Sequence, residues 1–315
     1  DYDESGRLVR DEGPDGKAQT LSRKETDTGH IVTHTSPEGR KTTWEVGLRP
    51  NGDAFLEVTD PSGAKTVSWI GIDGVRHQSF PTGEAISLEQ DPDPRWGFYV
   101  PVTSRIVHRS PEGRTKVTTA VRTVTLADVG DPLSVTSITD QITTNGPTSS
   151  VSYDAAQRKE TLSSAEGEIT ATFYDARNRV VRVEPGEGVA PITYEYDDTG
   201  MLRRATQAGR SVRWEPDGRG RPAARIDAAN RRTEFTFDDN DRVIAIKRPG
   251  GGVERYEYDA EGARTAVITP SGKRHELGRD ARGALSGYTP AVGATVDRER
   301  DGDGRLTAEG VAGDR

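Results

Sequence analysis

The chain has 315 residues, of which 31% are hydrophobic, 6% aromatic and 30% charged, with 35 Gly, 18 Pro, one Met and no Cys. A formal charge of −8 with both signs interleaved argues against the basic footprint of a nucleic-acid binder, and the lack of Cys excludes disulfides, thiolate nucleophiles and thiolate metal sites. No apolar run approaches the roughly 20 residues of a membrane-spanning helix. Gly and Pro at this density predict many turns and few long helices.

Taken in chain order, three stretches of one continuous array are expected. Residues 1–78 open on Tyr2, Asp3 and Gly6 and continue as irregular hairpins, with turns at Pro14-Asp15-Gly16, Pro37-Glu38-Gly39, Pro50-Asn51-Gly52 and Pro61-Ser62-Gly63. Residues 79–152 hold an aromatic connector followed by Thr- and Val-rich strands. The connector, 79–104, is stiffened by Pro92 and Pro94 and carries Trp96, Phe98 and Tyr99. These three side chains are candidates to plug an end of the sheet or to bind a sugar. Plugging is favoured, because an open sheet needs its edge covered. Residues 105–152 read as longer, edge-rich strands, with a turn at Pro111-Glu112-Gly113 and a polar loop over 143–150.

Residues 153–315 are a regular array. Tyr153, Tyr174, Tyr196, Pro216, Phe237, Tyr258, Arg279 and Arg300 follow one another at 20 to 22 residues, and Tyr2 starts one more copy. The next residue is always Asp: Asp3, Asp154, Asp175, Asp197, Asp217, Asp238, Asp259, Asp280 and Asp301. Three residues on stands Gly6, Gly200, Gly220, Gly262, Gly283 or Gly304, and otherwise Gln157, Asn178 or Asp241. Asp at the head of a tight turn accepts hydrogen bonds from backbone N–H groups further on, and Gly, Asn and Asp tolerate the left-handed backbone such a turn needs. Flanks such as Tyr194-Glu195-Tyr196 and Tyr256-Glu257-Tyr258 alternate with the period of a strand. A second turn falls half a period later, at Pro249-Gly250-Gly251 and Pro270-Ser271-Gly272. Each unit is therefore two short strands and two turns. The span from Ala223 to Asn230 is helical by composition but sits in register with strands, so it is read as strand and turn. Arg at 279 and 300 in place of Tyr implies weaker packing of the last units.

Sets with catalytic or ligand-binding spacing are lacking. His30 and His34 on one strand face would stand ~13 Å apart, too far to share a metal, and His77, His108 and His275 are scattered. Asp297, Asp301 and Asp303 resemble a calcium loop only faintly, since Glu309 misses the bidentate position. Gly283 to Gly287 is one place out of register for a nucleophile elbow, and the glycines at 250–252 lack the helix and Gly-Lys-Ser/Thr of a phosphate loop. Arg219, Arg221, Arg225, Arg231 and Arg232 read as a wet strand face, and pairs such as Asp197-Asp198 as turn chemistry. The expectation is a non-enzyme without metal or cofactor.

The pattern Tyr2-Asp3-Glu4-Ser5-Gly6-Arg7-Leu8 resembles the tyrosine-aspartate (YD) repeats of Rhs proteins, toxin-complex shell subunits and teneurins, and Asp93 through Gly97 with Asp131-Pro132-Leu133-Ser134 resembles bacterial Rhs chains. The resemblance implies an all-β fold of tandem hairpins in a curved, spiralling antiparallel sheet, part of a hollow shell. It implies a scaffold that encloses or presents a C-terminal toxin or other polypeptide, secreted or at a cell surface. Its partners would be other segments of the same parent chain, with carbohydrate or a secretion-system component as further possibilities. The alternative is an extracellular adhesion module for carbohydrate or protein. Opening and stopping inside repeats, the chain reads as a fragment of a longer one. At two strands per repeat it should hold about 30 strands spanning ~140 Å of sheet, an open band of about one turn. The match to the family's Asp-Pro-x-Gly cleavage motif, Asp60-Pro61-Ser62-Gly63, lies early in an ordinary turn and is not expected to be cleaved.

Overall fold

The computed structural model describes residues 1–311. They form 27 strands and no helix, all in one antiparallel sheet. This is the all-β hairpin architecture the repeat implies, close to the strand number expected from its period. The span after Arg221 is the strand Pro222–Ile226 followed by a turn. Its strand neighbours on both sides supply a ladder that outweighs the helical preference of Ala and Arg.

The chain divides into two compact units, one of Asp1–Thr20, Thr35–Arg40 and Tyr194–Arg315, the other of Leu21–His34 and Lys41–Thr193. In the second unit the strands from Lys41–Leu48 onward pair in chain order. Here the structure departs from the expected connector. Residues 85–109 are one long hairpin, Ala85–Asp93 paired with Gly97–Arg109, and only Pro94 to Trp96 turn. Pro92 is tolerated because it sits where the ladder is already irregular, between Asp91 and Asp93, and Pro94 opens the turn itself. The strands Gly97–Arg109, Thr115–Leu126 and Val135–Thr144 are the longest of the chain, 13, 12 and 10 residues, and each is paired on both sides rather than lying at an edge. The polar loop shrinks to residues 145–147, since Thr148–Asp154 is already strand.

In the first unit the strands from Leu202–Gln207 to Leu306–Val311 pair in the same sequential way. The register shifts by a residue at Glu215/Pro216, Thr236/Phe237, Glu257/Tyr258, Gly278/Arg279 and Glu299/Arg300. In these five repeats a bulge thus falls on the first residue, next to a turn whose left-handed residue is Gly, or Asp241 in the copy at Phe237. This is the three-residue hairpin loop that couples a tight turn to a bulge and adds local twist. The apolar interior is thin: Ala171, Ala224, Ile226 and Ala266 are its fully buried members.

Candidate functional site

The repeating turn is built by its aspartate. In the copy at Asp197, Oδ1 accepts from the N–H groups of Thr199 (3.0 Å) and Met201 (2.9 Å), while Gly200 N–H donates to the Asp197 carbonyl at 3.0 Å. The same Oδ1 pair recurs at Asp3, Asp175, Asp217, Asp238, Asp280 and Asp301. Gly6, Gly200, Gly220, Gly262, Gly283 and Gly304 all have positive φ, as do Asn178 and Asp241. The copy at Asp154 differs: its left-handed residue is Arg158 (φ 47°), one place late, with Gln157 N–H bonded to Asp154 Oδ1.

A second element was not read from the sequence. Arg four residues after Asp closes the turn: Arg221 Nε donates to Asp217 Oδ2 at 2.7 Å, and Arg179 and Arg242 do the same to Asp175 and Asp238. Arg221 and Arg242 also reach the following repeat. Arg221 donates to the Asp238 carbonyl (3.0 Å) and to Asp241 Oδ1 (2.6 Å), and its guanidinium lies 4.7 Å over the Phe237 ring. Arg242 donates to the Asp259 carbonyl at 3.2 Å and lies 4.8 Å over Tyr258, whose hydroxyl donates to the Val243 carbonyl at 2.8 Å. The Arg221 hydrogen bond holds the Asp217 carboxyl below its ordinary range. The signal was present as Arg7, Arg158, Arg179, Arg221, Arg242 and Arg305 at one fixed offset. Where Arg replaces the leading Tyr, it takes over the fastening: Arg279 and Arg300 donate to the carbonyls of Gly283 (2.9 Å) and Gly304 (3.0 Å).

Register sorts each unit into two unlike faces. In the first unit Phe235, Ile246, Tyr256, Val267, Leu277 and Tyr288 share one side, all half-buried. Tyr256 donates to Glu254, and burial together with that hydrogen bond pushes its hydroxyl up to about 12. The other side is an ion-pair lattice. Arg232 joins Glu215 (2.7 Å) to Glu234 (3.0 Å), and Arg274 joins Glu257 to Glu276. Ala224 and Ala266 lie in register between those glutamates and are wholly covered. In the second unit Leu56, Ile70, Ile86 and Leu88, with Arg76 and Gln78, line a concavity of about 440 Å³. The opposite side there mixes Glu57 paired with Lys65 and Glu89 paired with Arg105 with an aromatic row, Phe55 in register with Trp69 and Trp69 stacked on His77.

Among the described residues the one fully enclosed large side chain is charged. Asp93 accepts from the Arg95 N–H (2.9 Å), Arg95 Nε (3.1 Å) and Arg122 Nη1 (3.2 Å), while Arg122 also forks onto Asp140 at 2.7 and 2.8 Å. Burial alone would raise the Asp93 carboxyl, but the Arg95 and Arg122 hydrogen bonds outweigh it and bring it down to about 2. This network pins the tip of the long hairpin, where Phe98 is 70% and Tyr99 97% exposed and Trp96 is half-buried.

Of the singled-out packing residues, Tyr153, Tyr174, Tyr196, Phe237 and Tyr258 are half-buried and Tyr2 is 71% exposed. His30 and His34 lie on one strand, and His34 stands against Trp44 with ring centroids 6.4 Å apart. Among the described residues no three His, Asp or Glu side chains are grouped as metal ligands.

A meander of bulged hairpins, each closed by its own aspartate, defines a tandem-repeat β-sheet protein of the YD type. The teneurin YD-shell family matches residues 1–283, and the chain belongs to it. A double-stranded DNA deaminase toxin A of Burkholderia cenocepacia (strain H111) is 31% identical over 115 residues, 36% of this chain and 8% of the toxin. Among solved structures, TcdB2-TccC3-Cdc42 aligns over 99% of this chain and 21% of its own, with 13% identity and a TM-score of 0.49. The Photorhabdus luminescens Tc holotoxin pore aligns over 97% of this chain and 22% of its own, with 11% identity and a TM-score of 0.45. The chain thus spans about a fifth of the solved chains and a smaller share of the curated relative.

Proposed function

We propose that the chain is a non-catalytic length of shell wall that encloses or presents another polypeptide segment of the same parent protein, delivered outside the cell. The observation that carries this reading is the unlikeness of the two faces. One is a half-buried stripe from Phe235 to Tyr288, and the other is closed by Glu–Arg–Glu bridges over Ala224 and Ala266. An apolar face left open in a protein this polar marks a surface meant for contact. In this reading the Asp–Gly turns and their bulges set the bend of the wall, and Tyr and Phe with their Arg partners tie repeat to repeat. A photo-crosslinking side chain at Ile246 or Leu277 of the parent protein should capture polypeptide from outside the repeats, and one at Lys247 or Glu276 should not. Equal capture from both faces would sink the proposal.

The exposure of Phe98 and Tyr99 favours a second reading, adhesion to carbohydrate or protein through the pinned hairpin tip. A dose-dependent glycan-array signal that disappears in Trp96→Ala would support it.

A further inference from the structure

Three turns follow the order proline, acid, glycine, base, with the glycine left-handed: Pro14–Lys17 (Gly16, φ 75°), Pro37–Arg40 (Gly39, φ 77°) and Pro111–Arg114 (Gly113, φ 82°). Two of them are docked, both inside the first unit. Asp15 receives the guanidinium of Arg282. Glu38 Oε1 accepts from Gly302 N–H at 2.6 Å, and Glu38 N–H donates to Asp303 Oδ1 at 3.2 Å. Arg40 forks across two aspartates, with Nη2 2.6 Å from Asp301 Oδ2 and Nε on Asp303.

The acceptor is the sequence Asp301-Gly302-Asp303-Gly304. Gly304 is needed for its left-handed turn, but Gly302 is not left-handed. Its missing side chain is explained by the docking: a Cβ there would overlap the Glu38 carboxylate and stand 3.1 Å from Pro37 Cβ. Both aspartates of the acceptor also sit below their ordinary carboxyl range. For Asp301 the first cause is the Arg40 hydrogen bond; for Asp303 burial opposes the shift, and the Ser36 and Arg40 hydrogen bonds overcome it.

The third turn repeats the second letter for letter: Ser110-Pro111-Glu112-Gly113-Arg114 against Ser36-Pro37-Glu38-Gly39-Arg40. The backbones agree as well. Gly113 N–H donates to the Ser110 carbonyl at 2.9 Å and Ser110 N–H to the Arg114 carbonyl at 2.8 Å, against 2.9 Å for both bonds in the docked copy. Pro111 lies against the turn glycine Gly83 as Pro37 lies against Gly302, but the charged side chains differ in what they meet. Arg40 keeps 29% of its side-chain exposure between its two aspartates, whereas Arg114 is exposed and makes no ion pair among the described residues. Glu112 is folded back onto its own Ser110, whose hydroxyl donates to it at 2.7 Å and lowers its pKa.

We infer that Ser110–Arg114 is a docking turn without its acceptor, and that the partner it fits is a β-hairpin turn of the Asp-Gly-Asp-Gly type on another polypeptide. On docking, Arg114 forks between the two aspartates, and Glu112 exchanges its Ser110 hydroxyl for the N–H of the intervening glycine. Charge-assisted, bidentate contacts of this kind fix geometry as well as strength. The inference is independent of which sheet face meets cargo.

The test uses the whole chain as receptor and, as probe, a fluorescent hairpin peptide with the sequence of residues 296–309, closed by a terminal disulfide. Cross-strand NMR contacts first establish that the free peptide is a hairpin. Fluorescence anisotropy should then show saturable binding that weakens with added salt, falls about tenfold or more in Arg114→Ala and again in Glu112→Ala, and vanishes when the peptide carries Asp301→Asn with Asp303→Asn. A folded peptide that fails to bind, or binds Arg114→Ala as well as the unaltered chain, overturns the inference.

Discussion

Replacing Asp93 by Asn keeps the shape of the side chain and removes its charge. The carboxyl is held at about 2, against an ordinary 3.8, by two guanidinium groups that stay behind in the variant. A depressed carboxyl stabilises the fold above its unfolded pKa and loses that contribution as pH falls through the folded value. The difference corresponds to about 2.5 kcal/mol at neutral pH, using roughly 1.4 kcal/mol per pH unit. If the second unit, roughly 170 residues, unfolds as one body with about 2.1 cal/mol/K per residue, Tm should fall by about 7 °C. Far-UV circular dichroism melts of the two proteins at neutral pH and near pH 2 give the answer. The deficit should be full at neutral pH, shrink as pH drops below 4, and be mostly gone near 2. A variant that melts with the parent at neutral pH would show that the enclosed carboxylate contributes nothing net. An equal deficit near pH 2 would mean that packing, not charge, was lost.

Three smaller perturbations probe the repeat itself. Phe237→Ala removes a half-buried ring covered by Arg221 and should cost about 2 kcal/mol in urea denaturation, about half the value for a fully buried Phe. Tyr258→Phe loses only the hydroxyl bond to the Val243 carbonyl and should cost about 1 kcal/mol, with no change in spectrum. Arg158→Gly should stabilise by about 0.5–1 kcal/mol, because a non-glycine residue there is left-handed at φ 47°; destabilisation would show that the slipped turn needs its arginine.

What the sequence disclosed was local. Asp197, Gly200 and their counterparts act within five residues of one another, so their spacing is visible in one dimension. The Arg221 and Arg242 buckles hid in plain view, because an Arg after a turn reads as a solvated charge until the next repeat supplies an aromatic ring and a carbonyl. The long hairpin of 85–109 was obscured by Pro92 and Pro94, which normally argue against a strand. Asp93 was beyond reach for another reason. Its partner Arg95 is in the adjoining turn, but Arg122, which also holds Asp140, comes from a distant strand, and nothing local marks a carboxylate that will be enclosed. The docking of Glu38 on Gly302 spans more than 260 residues and leaves only one trace, a glycine with no conformational need to be one.

The thinness of the apolar interior carries a thermodynamic signature. The chain exposes 19928 Å² of surface, whereas a compact globule of its mass would expose roughly 13,000 Å². Unfolding therefore uncovers less apolar area per residue than usual, and the heat-capacity increment that follows from it is small. A small increment flattens the curve of stability against temperature. This sheet should hold a nearly constant margin from cold to warm and lose it gradually.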